Sequence, residues 1–280
     1  MKGGKGMNQK NGRTWIVFAF LVCLFVCFSA FASADSKAAV WPEQTTVTNT
    51  SGKLMLDASG ASDGYFFAAI SRNTTHRLKL RVIKDGTTLT YDLKPDTSYE
   101  LFPFQLGAGY YEIYLYENVS GKKYSQEGVI GINVKMDNPD AAFLVPSQYI
   151  SYTKASEAIA MADSLCEGKS EKEAFEAVCK FMSTSFAYDF IKAVTIKPGM
   201  LPDIDGSYKK RMGVCQDLSA IMCCMLRTQQ IPARMIIGYA DKQYHAWTVT
   251  KINGKDVFFD PTAALSAISA VKDYSMERYY

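Results

Sequence analysis

The chain has 280 residues, 48% apolar and 21% charged, which excludes a disordered or fibrous protein and exceeds one disulfide-stapled mini-domain. Its formal charge of +3 rests on four basic side chains among residues 1–34, which carry no acid; the remainder holds 27 basic against 28 acidic residues. That balance gives no electrostatic footing for nucleic acid, and two histidines, His76 and His245, are too few for a His-rich metal site.

Residues 1–13 are basic, residues 15–28 form an apolar run, and Ala32-Ser33-Ala34 precedes Asp35. This order predicts a secretory signal peptide over residues 1–34, cleaved after Ala34, and hence a secreted or cell-surface protein. Left uncleaved, the segment would be a membrane anchor. Five cysteines follow it: Cys166, Cys179, Cys215, Cys223 and Cys224. An odd number leaves at least one thiol unpaired within the chain, and no C-x-x-C spacing occurs.

From about residue 47 to 136 the pattern has a period of two. Leu78, Leu80 and Val82 alternate with Arg77, Lys79 and Arg81, Asp85-Gly86 supplies a turn, and Leu89, Tyr91 and Leu93 resume the alternation. A second hairpin is expected across Ser120-Gly121-Lys122. These features predict a β-sandwich, immunoglobulin-like, over residues 35–144. His76 reads as a solvated loop residue. Tyr110, Tyr111, Tyr114 and Tyr116 read as strand residues with wet hydroxyls, or alternatively as a contact surface. Sequons occur at Asn49, Asn73 and Asn118.

Beyond Asn138-Pro139-Asp140 the period becomes helical, with helices expected over 155–167 and 171–186 and a Pro- and Gly-containing loop over 197–206. Cys166 and Cys179 read as small core residues, with a disulfide between them an open alternative. Leu218, Ile221, Met222, Met225 and Leu226 then mark a buried helix that starts near Cys215 and ends before Ile231-Pro232. A thiol at a helix start meets unpaired N–H groups and the positive end of the dipole, which favour a thiolate and an adjacent oxyanion. Cys223 and Cys224 lie in the helix body and read as packing residues; redox chemistry between them ranks last, since adjacent helical cysteines form strained bridges. Strands are expected over 234–239, 244–249 and 256–260, placing His245 within one and Asp260 at the exit of another. These are the parts of a thiol triad.

Gly213-Val214-Cys215-x-Asp217, Leu226-Arg227, Ile231-Pro232-Ala233-Arg234, Gly238-Tyr239, His245-Ala246-Trp247 and Asp260-Pro261-Thr262 together resemble the transglutaminase-like superfamily, of papain-like fold. The resemblance implies an α+β chain with a catalytic domain over residues 145–280. It also implies Cys215 as nucleophile, His245 as base and acid, and Asp260 as the residue orienting the imidazole. Cofactor and metal are not implied. Asp217 is expected to cap the helix or pair with Arg234, and Trp247 to wall the site or pack in the core. Val214 and Gln216 stand where animal transglutaminases have Gln and Trp beside the nucleophile, so a second oxyanion donor must come from elsewhere; Tyr208 and Gln216 are the candidates. The activity implied is attack on amide bonds of peptides, proteins or cell-wall peptides through a thioester, ending in hydrolysis, deamidation or transamidation. A non-catalytic surface binder using the β-module is the alternative.

Overall fold

The computed structural model describes residues 38–265, 271 and 273–280. The expected signal segment lies outside the described residues, and none of the described helices is long and apolar enough to cross a membrane. The chain is mixed α/β. Its first eight strands are β1 (Asn49–Ser51), β2 (Leu54–Asp57), β3 (Tyr65–Ile70), β4 (Leu78–Lys84), β5 (Thr87–Leu93), β6 (Glu100–Pro103), β7 (Gly109–Ser120) and β8 (Lys123–Val134). They make two antiparallel four-stranded sheets, ordered β1-β2-β3-β6 and β5-β4-β7-β8.

Period-two alternation explains why these sheets share one core. Leu78, Leu80 and Val82 are buried, as the pattern requires. Aromatic rings bridge the sheets: Phe102 lies 5.3 Å from Tyr91, and Phe104 4.9 Å from Tyr111. The β4–β5 turn places Asp85 and Gly86 at positive φ (49° and 78°), the geometry that matches a tight hairpin to strand twist. The tyrosines divide by the same alternation. Tyr111 is fully buried, and its hydroxyl donates to the Gly107 carbonyl at 2.7 Å, so it is a core residue and not a wet one. Tyr114 and Tyr116 stack on the opposite face, with Arg81 against Tyr116. His76 is exposed but not merely solvated: its Nδ1 lies 3.0 Å from Glu117 Oε1, which Thr74 also reaches.

After a buried turn at Ala141–Phe143, the elements are α1 (Glu157–Cys166), α2 (Glu171–Ser185), β9 (Ala187–Tyr188), α3 (Phe190–Thr195), α4 (Ile204–Lys210), β10 (Met212–Gly213) and α5 (Cys215–Thr228). Then come β11 (Ala233–Ala240), β12 (Gln243–Ile252), β13 (Lys255–Phe259), α6 (Pro261–Ala264) and β14 (Tyr274–Tyr279). The start of α2 is fixed by a capping box between Ser170 and Glu173. The sheet runs β13-β12-β11-β14, antiparallel throughout, with α5 packed on β11 and β12 and against α1 and α2. From Asp217 to Thr228 every residue of α5 is buried, the condition of a central helix covered on all sides.

Arg227 closes this core. Its guanidinium is fully buried and donates to the carbonyls of Ala233 (2.9 Å) and Val145 (2.6 Å) and to the main-chain oxygen of Tyr280 (3.1 Å). Burial lowers its pKa, yet three main-chain oxygens answer its fork of donors. The apolar cluster continues from the paired sheets into the helices, and Gln105 Nε2 donates to the Tyr279 carbonyl between them.

Two expectations need correction. The expected loop over 197–206 ends in α4, which starts where Asp203 Oδ1 accepts the Gly206 N–H at 2.9 Å. Asp217 does not pair with Arg234, whose Nη2 instead meets Asp256 Oδ2 at 2.6 Å. Among the described residues the five cysteines are all free, including Cys166 and Cys179.

Candidate active site

Cys215 is the first residue of α5, following the short strand β10, which pairs in parallel with β9. Gly213 is needed there, since a Cβ would come within 2.8 Å of the Asp217 Cβ. The turn is held by the fully buried Asp217. Its Oδ2 accepts the Val214 N–H at 3.0 Å and meets Lys192 Nζ at 2.7 Å, while Oδ1 accepts the Asp203 N–H at 3.0 Å. The sequence reading of Asp217 as a cap therefore holds, with Lys192 of α3 as its counter-ion.

His245 lies on β12, opposite Gly238 of β11, and is 3% exposed. Its Nε2 is 2.8 Å from Asp260 Oδ2, and Cys215 is near enough to help raise the pKa of the ring. Asp260 sits where β13 gives way to α6 and serves two purposes. Oδ1 caps the helix by accepting the N–H groups of Thr262 (2.8 Å) and Ala263 (3.1 Å), and Oδ2 receives His245 and the Tyr274 hydroxyl (2.8 Å). His245 and Asp260 are thus in hydrogen-bond contact, and Cys215 begins the helix packed on the strand that carries His245.

The electrostatics follow from this arrangement. Burial opposes a charged imidazole, but the bond to Asp260 and the neighbouring Cys215 outweigh it and raise His245 from 6.5 to about 9. Burial likewise works against the Asp260 carboxylate, yet His245, the helix-start N–H and Tyr274 hold its pKa below the ordinary value. Burial pushes Cys166, Cys179 and Cys223 up to about 11, 12 and 11 respectively, which disfavours their thiolates. Cys223 and Cys224 are both fully buried in α5, which gives the redox reading no exposed pair to act through.

Trp247 is buried beside His245: its ring stacks 6.3 Å from the imidazole and packs edge-on to Tyr274 at 5.1 Å. Gln216 Nε2 donates to the Met200 carbonyl at 3.1 Å, tying loop 197–203 to the nucleophile turn. Tyr208 is buried between Phe181, Phe186 and Arg211, and its hydroxyl accepts from Arg211 Nη2 at 3.0 Å. Both side chains are engaged in holding structure. Sequence reasoning missed Tyr274, Lys192 and Tyr188. Tyr188, paired in register with Gly213, is half-buried and has its hydroxyl pushed up to about 12 by burial and then by Cys215. None of the three stands in a motif; only the fold brings them here.

Residues 159–261 match the family model of the transglutaminase-like superfamily. Among solved structures the chain is similar to a candidate cysteine protease from Cytophaga hutchinsonii, at 16% identity over 77% of this chain and 83% of that one, with TM-score 0.40. It is similar also to the periplasmic domain of TgpA from Pseudomonas aeruginosa (15% identity, 82% and 77% covered, TM-score 0.36). Red sea bream transglutaminase is a third similar structure (12% identity, 75% and 48% covered, TM-score 0.29). No curated protein matches the sequence. Residues 159–261, which include Cys215, His245 and Asp260, belong to the transglutaminase-like superfamily.

Proposed function

We propose that the chain is a thiol enzyme that opens amide bonds of peptides or proteins through Cys215, His245 and Asp260. The observation that carries this reading is the buried imidazole bonded to one carboxylate and raised in pKa by that carboxylate and by Cys215. Cys215 Sγ attacks the amide carbonyl carbon, forming the C–S bond and placing negative charge on the oxygen. The N–H groups at the start of α5 have no partner within the helix and are available to that oxyanion. Collapse breaks the C–N bond as His245 gives its proton to the leaving amine, and a thioester remains on Cys215. Water then loses a proton to His245 and attacks the thioester, forming the C–O bond and releasing the sulfur. An amine in place of water would give transamidation.

The two paired sheets are proposed to form an immunoglobulin-like module over residues 35–144, with the catalytic domain over 145–280. Support comes from the sheet orders and from the Tyr111 hydroxyl bonded to a carbonyl four residues upstream at the corner before β7. Export through residues 1–34 is proposed on their sequence pattern alone.

Intact-mass detection of an acyl-enzyme tests the chemistry. Incubation with peptide and protein amides is expected to add an acyl group on Cys215 that the His245→Ala chain does not acquire. A folded chain whose Cys215 stays unmodified by every amide, and inert to iodoacetamide, would return the protein to the class of surface binders.

A further inference from the structure

Outside the triad, a cavity of about 660 Å³ opens between the first sheet and the catalytic half of the chain. That volume lies in the range of pockets that hold several side chains of a ligand. One wall is made by consecutive residues 99–102, which include most of strand β6. The sheet order ends at β6, and among the described residues β3 is its one strand partner. Half of the main-chain groups of an edge strand point away from its neighbour and offer a template for another extended chain.

The lining also carries Trp41, with Tyr152 edge-on at 6.0 Å and Lys154 Nζ 5.7 Å from its ring centre. Tyr99, also in the lining, has a buried hydroxyl without a hydrogen-bond partner. Leu201 and Pro202 belong to the lining too. These two residues lie between the anchors that bind their loop to the nucleophile turn, namely Met200 to Gln216 and Asp203 to Asp217. The loop that lines the cavity is therefore tied on both sides to the start of α5.

We infer that this groove is an exosite for an extended polypeptide, which adds along the edge of β6 and sets its apolar side chains against Trp41 and Leu201. The inference rests on the reading of the site as acting on peptides or proteins, and names unfolded or extended polypeptide as the substrate class. A free strand edge favours a peptide main chain over a sugar, because it supplies alternating donors and acceptors at strand spacing.

Binding is measured with the full chain carrying Cys215→Ala, so that the result does not depend on turnover. The probe is fluorescein-labelled, reduced and carboxymethylated α-lactalbumin, read by fluorescence anisotropy, with an N-acetylglucosamine hexamer as competitor. Saturable binding is expected, weakened about tenfold or more by Trp41→Ala and by Leu201→Ser, and undisturbed by the hexamer. Leu201 is 41% exposed, so its variant remains informative where Trp41→Ala impairs folding, which circular dichroism reports. Absent binding, equal binding by the folded variants, or displacement by the sugar would overturn the exosite. Intact binding by a chain that never forms an acyl-enzyme would count against the catalytic reading alone.

Discussion

Lys192 reaches the fully buried carboxylate of Asp217 at 2.7 Å, and so fastens the short helix α3 to the turn that presents Cys215. Breaking a buried pair by removing one partner leaves a charge without compensation. Lys192→Met is expected to destabilise the chain by about 3 kcal/mol in urea unfolding. A change below about 0.5 kcal/mol would mean that the N–H groups of Val214 and Asp203 satisfy Asp217 alone.

The Tyr274 hydroxyl props the same oxygen of Asp260 that faces His245. Tyr274→Phe is expected to lower kcat about tenfold with KM little changed, since it acts through the carboxylate. Asp260→Ala frees the ring as well, and its expected loss is on the order of a thousandfold or greater. Acyl-enzyme formation rates separate the two; equal losses would show that Tyr274 does more than orient Asp260.

The pH dependence has a definite sign. His245 is raised from 6.5 to about 9, so its stabilising contribution is complete below 6.5 and is lost as pH rises through about 9. Asp260 is lowered, so its contribution is present above 3.8 and is lost as pH falls through the folded value. The difference in Tm between the native chain and His245→Gln should therefore shrink from near pH 6 to about pH 10. Activity should fall on the alkaline side around pH 9 as the ring loses the proton it gives to the leaving amine. A constant Tm difference would contradict the assignment of that proton.

Alkylation distinguishes the five free thiols. In the native chain, iodoacetamide at neutral pH should modify Cys215 first, with Cys166, Cys179 and Cys223 reacting only on unfolding. Peptide mapping of briefly treated protein checks this, and early modification at Cys223 would show that α5 opens more readily than its burial indicates.

The backbone settings of Cys215, His245 and Asp260 were legible because each stands where local sequence announces its own element: a helix start, an alternating strand and a strand exit. The Leu218–Leu226 spacing fixed the direction of α5, and the hairpins around Asp85-Gly86 and Gly121 fell where turn chemistry put them. The missed pieces are those whose sequence carries no period. Helix α3 has β-branched Ile191, Val194 and Thr195, and its Phe190, Ile191 and Val194 are exposed, so no buried face repeats. Strand β14 has a pattern of mostly exposed residues and gains its place only by pairing with β11. Asp217 could be read as a cap but not as the partner of Lys192, because 25 positions of chain and two elements separate them.

Arg227 lies near the far end of the helix that Cys215 begins, and it grips the Tyr280 main-chain oxygen just beyond the strand that carries Tyr274. The sulfur and the last support of its carboxylate thus hang from opposite ends of one rigid rod. Seating of β14 therefore bears on both ends of the helix at once, bringing Tyr274 to Asp260 and Tyr280 to Arg227.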